Sequence, residues 1–282
     1  DSLAPAVEVS LPDWLFQRLA AQWGEPDALS ICRALLSAAP LDLRVNVLKG
    51  DREQAIESLV ADRIVARPLA LVPNALRVDG KPALERSAAF LGGLVEVQDA
   101  GSQVLAALAA PRRGQTVIDF CAGAGGKTLA LAAMMQGKGG LIATDHDKRQ
   151  LAPIYERLSR AGVHNCDVRT PKGPNDTPSD IHATADLVLI DAPCTGTGTW
   201  RRNPDAKWRM RPGALEVRLK DQVTVLDRAA ALAKPGGRIA YITCSVLPQE
   251  NGEQIRAFVR RHSAFSVVPP EQTAAGPWGL SL

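Results

Sequence analysis

From about Leu91 onward, short apolar runs alternate with segments of helical length, and this rhythm constrains the fold more than any other feature. Strands are predicted at 116–120, 141–144, 164–168, 186–190 and 238–242. Strands that alternate with helices form parallel sheets with crossover helices. Ligands bind beyond the carboxyl ends of the strands in such open sheets. We therefore predict an α/β domain over residues 91–282, with its site at one edge of the sheet.

The earlier residues mix helix and strand on a smaller scale. Helices are predicted from about residue 12 and over 26–38 and 52–60, with strands at 43–48 and within 65–78. This pattern favours a separate helical and α+β domain over residues 1–90. The remaining predictions are helices at 102–109, 127–136, 148–161, 213–233 and 248–261, loops at 170–179 and 192–212, and a last strand at 265–268.

Composition excludes some classes of protein. The chain is 46% hydrophobic and 22% charged, which is ordinary for a globular protein. Its apolar runs are too short to span a bilayer, and no secretory signal opens the sequence. We expect a cytoplasmic protein without a membrane partner. The sequence begins at Asp1, without methionine, so we also expect that it is a fragment.

The five cysteines are few and unpaired in sequence. Their odd number and the absence of a CxxC pair argue against disulfides and against a structural zinc site, and we predict no metal. Cys32 and Cys166 are expected to be buried apolar residues. Cys194 and Cys244 instead follow the predicted strands 186–190 and 238–242. Both thiols should therefore face one crevice.

A glycine-rich loop follows the strand at 116–120 and opens a helix. The loop residues are Cys121, Ala122, Gly123, Ala124, Gly125, Gly126 and Lys127. The Walker A spacing fails because Cys121 stands where its first glycine belongs, and the dinucleotide spacing G-x-G-x-x-G fails too. Asp145 follows the next strand, where a carboxylate can bind ribose hydroxyls, and Asp167 is expected after the third, near an adenine amine. This combination predicts a nucleoside cofactor without phosphates, S-adenosylmethionine.

At this point the chain resembles the RNA 5-methylcytosine methyltransferases, which include bacterial 16S ribosomal RNA enzymes and eukaryotic Nop2/Sun proteins. The similarity covers most of the chain, from about Leu43 to Glu253. It is carried by Asp119–Thr128, Asp145 with Arg149, Asp191-Ala-Pro-Cys194-Thr-Gly-Thr-Gly, Arg202–Trp208, Thr243-Cys-Ser245 and Glu250-Asn-Gly-Glu253. It implies a Rossmann-like class I methyltransferase sheet with helices on both faces, preceded by a small α+β RNA-binding domain.

The resemblance also implies roles. Cys244 would be the nucleophile that adds to C6 of cytosine, Cys194 would promote release, and Asp191 would contact the base and lie beside the cofactor. Arg149 would contact the cofactor together with the glycine-rich loop, Asp145 and Asp167. From the residues alone the cysteine roles stay open, because DNA cytosine-5 methyltransferases carry their nucleophile in a Pro-Cys dipeptide, as in Pro193-Cys194.

A basic loop with two tryptophans follows the first thiol. Between Trp200 and Lys220 there are seven Lys or Arg residues against Asp205 and Glu216. Arginines can hold phosphates, and an exposed tryptophan can stack on a displaced base. The residues predicted to bind RNA are Arg201, Arg202, Lys207, Trp208 and Arg209.

Two departures from the family stand out. Ala124 replaces a usual proline before the glycine pair, and the family's final strand motif is absent, so a carboxyl-terminal strand is expected to be missing. The expected substrate is ribosomal RNA of the 16S type, and the chain is expected to be monomeric. The alternatives are a transfer RNA cytosine-C5 methyltransferase and a non-catalytic RNA-binding or ribosome-assembly factor that retains the fold.

Overall fold

The structure is a computed structural model of the chain, and it describes residues 4–70, 72–170, 179–211 and 213–269. Within them the helices are α1 (Pro5–Glu8), α2 (Asp13–Trp23), α3 (Glu25–Leu36), α4 (Arg52–Ala61), α5 (Ala88–Leu91), α6 (Ala100–Leu108), α7 (Gly126–Met134), α8 (Lys148–Leu151), α9 (Ile154–Ala161), α10 (Ala206–Arg209), α11 (Ala214–Leu232) and α12 (Gly252–Arg261). The strands are β1 (Leu41–Val45), β2 (Ala66–Pro68), β3 (Ala75–Val78), β4 (Val95–Val97), β5 (Thr116–Asp119), β6 (Gly140–Thr144), β7 (Cys166–Arg169), β8 (Ala185–Asp191) and β9 (Ala233–Ile242).

The chain divides into two compact units, each assembled from separate stretches. The first unit comprises Asp1–Ala39, Ala192–Asp227 and Ile242–Ser266. The second unit comprises Pro40–Asp191, Arg228–Tyr241 and Val267–Leu282. These units do not follow the predicted division at residue 90, because the amino-terminal helices group with two later stretches. The assignment of an RNA-contacting domain to residues 1–90 and a catalytic domain to 91–282 stays a prediction.

The second unit contains the predicted parallel sheet, in the strand order β7-β6-β5-β8-β9. Strand β5 pairs in parallel with β6 on one side and β8 on the other, so that Ile118 lies opposite Ile142 and Val188. The chain runs outward from β5 to β6 and β7, then returns to add β8 on the opposite side. A crevice forms at such a switch point beyond the carboxyl ends of the strands. Here those ends are Asp119 and Asp191.

A smaller antiparallel sheet, in the order β2-β3-β1-β4, also belongs to the second unit. Its apolar side chains form a separate core in which Leu43, Leu59 and Leu76 are fully buried. Strand β4 lies after Leu91, where the sequence predicts that the larger parallel domain begins. It pairs instead with β1 of the small sheet. Three residues are too few for hydrophobic periodicity to separate a strand from a loop.

The first unit has its own apolar core. Helix α2 buries Leu15 and Leu19 on one face, whereas Trp23 is exposed. These side chains share a core cluster with Trp200, Leu215 and Leu247 from the later stretches. No helix in the part of the chain that the structure describes is long and apolar enough to cross a membrane.

Several predicted elements differ in the structure, among them the strand predicted at 238–242, which begins at Ala233. The helix at 148–161 is broken into α8 and α9 at Pro153, which lacks an amide donor and disfavours helix at the preceding residue. The strand at 265–268 is wrong: these residues form no regular element, and Val267 and Val268 are exposed. The predicted loop at 192–212 contains a 3₁₀ turn, Thr197–Thr199, and helix α10. Most of the predicted loop 170–179, residues 171–178, lies outside the described residues.

Candidate active site

The glycine-rich loop leaves strand β5 and enters helix α7, as the sequence predicts. Its Gly123 amide donates to Oδ2 of Asp145 at 2.9 Å, which joins the ends of β5 and β6. Gly123 has a φ of +49°, and a Cβ added there would meet no atom within 4 Å. The loop therefore presents exposed backbone to open space, as close approach of a ligand requires.

Two side chains that sequence analysis missed hold this loop. Nη1 of Arg157 donates to the carbonyl of Ala124 at 2.8 Å, and Nε2 of Gln98 donates to the carbonyl of Gly126 at 3.1 Å. Nε of the buried Arg44 donates to Oε1 of Gln98 at 2.7 Å. Small-sheet residues therefore support the loop through Gln98. No local pattern around Gln98 or Arg157 indicates this role, because their partners lie about thirty residues away.

Replacing Gly125 with alanine should lower the free energy of unfolding by about 2 to 4 kcal/mol. Gly125 has a φ of +84°, and an added Cβ would lie 2.5 Å from Cγ1 of the buried Ile154. Gly114→Ala is a matched control, since Gly114 has the same φ of +84° and no atom within 4 Å of an added Cβ. Urea unfolding measures both variants. Equal losses would show that the contact with Ile154 costs nothing.

Carboxylates surround the glycine-rich loop in the second unit. Asp119 is fully buried, accepts a bond from Oγ1 of Thr128 at 2.7 Å, and has no partner for Oδ1. Burial raises the pKa of Asp119 to about 7. Burial also raises the pKa of Cys121, and the charges of Asp145, Asp119 and Asp191 raise it further. Several carboxylates therefore lie around the loop, and carboxylates suit a cationic ligand such as a sulfonium better than a phosphate.

Replacing Asp119 with asparagine should make stability less sensitive to pH. Because the folded pKa of about 7 lies above the ordinary value of 3.8, the folded wild type binds more protons between these values and loses stability as pH rises through this window. The variant lacks this loss. Between pH 4 and 8, the difference between its free energy of unfolding and that of the wild type should therefore change in favour of the variant by up to about 4 kcal/mol. Thermal or urea unfolding at a series of pH values measures how the free energy of unfolding changes with pH. A pH-independent change in stability caused by the new amide does not affect this slope.

Asp186 provides the control for that experiment. Hydrogen bonds from Lys234 and from the backbone of Thr116 lower the pKa of Asp186. Asp186→Asn should therefore show the opposite trend, since its carboxylate stabilises the fold above the unfolded pKa and that contribution disappears as pH falls. Parallel pH profiles for wild type and Asp119→Asn would contradict the raised pKa.

Asp191 forms an ion pair with Lys127, the last residue of the glycine-rich loop. Nζ of Lys127 lies 2.5 Å from Oδ2 of Asp191. The lysine side chain is 11% exposed and the aspartate 38%, so solvent reaches the pair mainly from the side of the aspartate. One carboxylate oxygen is thus fixed by an ammonium group in a negatively charged part of the second unit.

Three other predicted cofactor residues are less enclosed or already engaged. Asp145 is buried, and its second oxygen accepts from the amide of Asp147 at 2.9 Å. The position expected for Asp167 is wrong, because it lies within β7 opposite Ile142 and pairs with Arg169. The strand begins two residues later than predicted. Arg149 is exposed and pairs with Asp147 at 3.4 Å. Contacts of Asp167 and Arg149 with a cofactor stay predictions.

The two thiols that sequence analysis singled out are neighbours in the first unit. Sγ of Cys194 lies 3.2 Å from Sγ of Cys244, close enough for one thiol to donate a hydrogen bond to the other. The hydrogen bond with the Cys244 thiol lowers the pKa of Cys194 despite burial, and backbone groups of Cys244 and Gly196 contribute. Cys244 is exposed. The amide of Gly198 donates to the carbonyl of Cys244 at 2.9 Å, which ties the two thiol-bearing segments together.

The remaining cysteines differ in exposure. Cys32 is buried, as predicted, whereas Cys166 is only partly buried. Burial raises the pKa of Cys166 to about 12, so this thiol is protonated at neutral pH. Cys121 is partly buried in the cofactor loop.

The residues predicted to bind RNA divide into exposed and buried sets. Trp208 is 59% exposed, Arg202 is exposed, and the exposed Arg209 pairs with Asp205. Arg201 is exposed and donates to the carbonyl of Ala38. Lys207 is 5% exposed, so the structure contradicts a phosphate contact on the surface. Its neighbours Ala206 and Met210 pack against the core of the first unit. Burial lowers the pKa of Lys207.

Comparison with known proteins identifies the family to which the sequence is similar. The chain matches the family described as 16S rRNA methyltransferase RsmB/F over residues 106–276, and an RsmF/B-like ferredoxin-like domain over residues 11–85. It is 33% identical over 271 residues to the probable ribosomal RNA small subunit methyltransferase B of Synechocystis, covering 95% of this chain and 60% of the relative. The chain thus spans about three fifths of that relative's length.

Solved structures give the same result. The crystal structure of the protein PH0851 has a TM-score of 0.86 and 32% identity, with 93% of this chain and 61% of the other covered. A methyltransferase homologue from Pyrococcus horikoshii has a TM-score of 0.76 and 27% identity, with 91% and 81% covered. The predicted α/β fold with a class I methyltransferase sheet is confirmed, and the small domain that precedes it is ferredoxin-like. The chain belongs to the 16S rRNA methyltransferase RsmB/F family.

Proposed function

We propose that this chain transfers a methyl group from S-adenosylmethionine to C5 of a cytosine in small-subunit ribosomal RNA. The observation that carries the proposal is the pair of thiols, Cys194 and Cys244, 3.2 Å apart in a member of this family. The name of the Synechocystis relative supports ribosomal RNA as the substrate class. Cytosine C5 and the covalent chemistry are inferred from the two thiols and the family resemblance.

The residues around the glycine-rich loop fit the proposed cofactor. The open backbone at Gly123 and the nearby Asp145 carboxylate support a nucleoside ligand, and the carboxylates of Asp119, Asp145 and Asp191 around the loop support a sulfonium cation. The loop residues 121–127 and Asp145 would hold S-adenosylmethionine. When bound, it supplies an electrophilic methyl group.

In the proposed reaction, the Cys244 thiolate forms a bond to C6 of the cytosine, and the displaced ring electrons make C5 nucleophilic. Such covalent catalysis divides one difficult step into easier ones. Asp191 contacts the base near N3 and stabilises the adduct. After C5 carries the methyl group, a base removes the C5 proton, the electron pair returns through the ring, and the bond to Cys244 breaks. Cys194 promotes this release.

The exposed part of the basic loop is proposed to bind the RNA around the target. A base attacked on the face of its ring must leave its stack, and Trp208 offers an exposed aromatic surface on which a displaced or neighbouring base can stack. Arg201, Arg202 and Arg209 provide guanidinium groups for phosphates. Lys207 is left out of this set because it is buried.

The test is methyl transfer from tritiated S-adenosylmethionine to a 16S ribosomal RNA transcript, followed by bisulfite sequencing of the product. We expect label in the transcript and one protected cytosine. Label in transfer RNA but not in the 16S transcript would favour the transfer RNA alternative. RNA binding without label above a Cys244→Ser control would favour the non-catalytic assembly factor.

A further inference from the structure

A buried carboxylate lies beneath the Cys194 segment. Glu250 has no exposed surface, and its Oε1 accepts from the amide of Thr195 at 2.8 Å and from Nε2 of Gln222 at 3.0 Å. Its Oε2 accepts from the hydroxyl of Thr195. A carboxylate without solvent is costly unless donors surround it. Two of the three donors to Glu250 come from Thr195, so they bind the Thr195 side of the segment firmly.

The same buried pair also holds the other side of Cys194. Gln222 has no exposed surface, and its Nε2 donates to the carbonyl of Pro193 at 3.0 Å as well as to Glu250. The bonded groups are thus the carbonyl of the residue before Cys194 and the amide of the residue after it. Both peptide groups that flank this cysteine are fixed, which limits rotation of its backbone.

The next residue along the chain performs the equivalent task for Cys244. Oδ1 of Asn251 accepts from the hydroxyl of Thr243 at 2.5 Å, and its Nδ2 donates to the carbonyl of Ser245 at 2.9 Å. Nδ2 also donates to the carbonyl of Leu247 at 2.9 Å. The residues before and after Cys244 are therefore bonded to one amide side chain.

We infer that Glu250 and Asn251 are positioning residues for the two thiols, Glu250 for Cys194 and Asn251 for Cys244. Because they are consecutive, one peptide unit fixes the distance between the two sets of hydrogen bonds. This arrangement sets the two thiol-bearing segments in register, with their sulfur atoms 3.2 Å apart. The inference rests on the proposed function, since it assigns separate steps to the two cysteines.

The test uses the covalent RNA adduct, which distinguishes the two steps. In the full chain, Glu250→Ala should show a weaker form of the Cys194→Ala defect: methyl turnover falls about 10- to 100-fold and adduct accumulates on a denaturing gel. Glu250→Gln should restore most turnover, because its amide oxygen can replace Oε1 and Thr195 can reverse its hydroxyl bond. Asn251→Ala in a Cys194→Ala background should reduce adduct yield at least about 10-fold, as displacement of the nucleophile predicts.

The controls separate this inference from the proposed function. Absence of adduct with both Cys194→Ala and Cys244→Ala would remove the basis of the proposed function. Adduct with Cys194→Ala but none with a folded Glu250→Ala would overturn the inference alone, as would a Glu250→Gln variant no better than Glu250→Ala. If Glu250→Ala does not fold by circular dichroism, Gln222→Met replaces it, since it removes the donor to Pro193 and Glu250 at similar volume. It must then accumulate adduct. Glu216→Ala, an exposed glutamate in α11, should match the wild type.

Discussion

Cys244→Ala should abolish methyl transfer to RNA, with a loss of at least about 10³-fold, and should form no covalent adduct. C5 of cytosine is a poor nucleophile until a thiolate adds at C6. Cys244 is the exposed member of the thiol pair, so a base can reach its sulfur without displacement of the core. Tritium transfer to a 16S transcript measures the rate, and a denaturing gel with labelled RNA detects the adduct.

Cys166→Ala is the matched control for Cys244→Ala. Burial raises the pKa of Cys166 to about 12, so its thiol is protonated at neutral pH and is not expected to react. Activity near that of the wild type shows that removal of a thiol is harmless elsewhere in the chain. Persistent methylation by Cys244→Ala, with Cys166→Ala unchanged, would rule out Cys244 as the nucleophile.

Cys194→Ala should arrest the reaction at a later stage. We expect turnover to fall by at least about 10²-fold while a covalent protein–RNA complex accumulates toward one RNA per chain. Cys244 can still add to C6 in this variant, but release lacks the neighbouring sulfur 3.2 Å away. The complex migrates above free protein on a denaturing gel and disappears in the Cys194→Ala/Cys244→Ala double variant.

The opposite outcome has a definite meaning. A trapped complex with Cys244→Ala, and none with Cys194→Ala, would reverse the two roles and match the Pro-Cys arrangement that the sequence left open. The lowered pKa of Cys194 does not decide between them, because either sulfur can donate to the other. Electrophile labelling of the free protein between pH 6 and 9 would show which thiol ionises first.

Sequence patterns predicted the parts of the site that local chemistry determines. The strand before Asp119 and the strand before Asp191 are present within one residue of their expected bounds. Both depend on continuous apolar runs, which a buried parallel strand requires. The glycine loop was predictable because its backbone conformation needs glycine at Gly123 and Gly125.

The supporting residues could not be predicted in this way. Gln98 and Gln222 are polar residues in ordinary surroundings, and Glu250 belongs to a family motif to which no role was assigned. Their roles depend on partners brought close only by the fold. For Lys207 the sequence did predict a functional role, and the prediction was wrong. Its basic neighbours indicated an exposed RNA contact, but the helical turn of α10 leaves this one side chain buried. Charge in a sequence does not distinguish a surface lysine from one that packs its stem in a core.

The first unit is assembled from three separate stretches of the chain, and this affects the order in which its parts can fold during synthesis. Leu15 and Leu19 leave the ribosome early, but their core partners Trp200, Leu215 and Leu247 follow nearly two hundred residues later. The amino-terminal helices must therefore wait with exposed apolar faces, a state that favours chaperone binding. The thiol pair is also assembled late, because Cys244 and the residues that hold it are translated near the end of that unit. Nascent chains that end before Asn251 thus lack the complete thiol site.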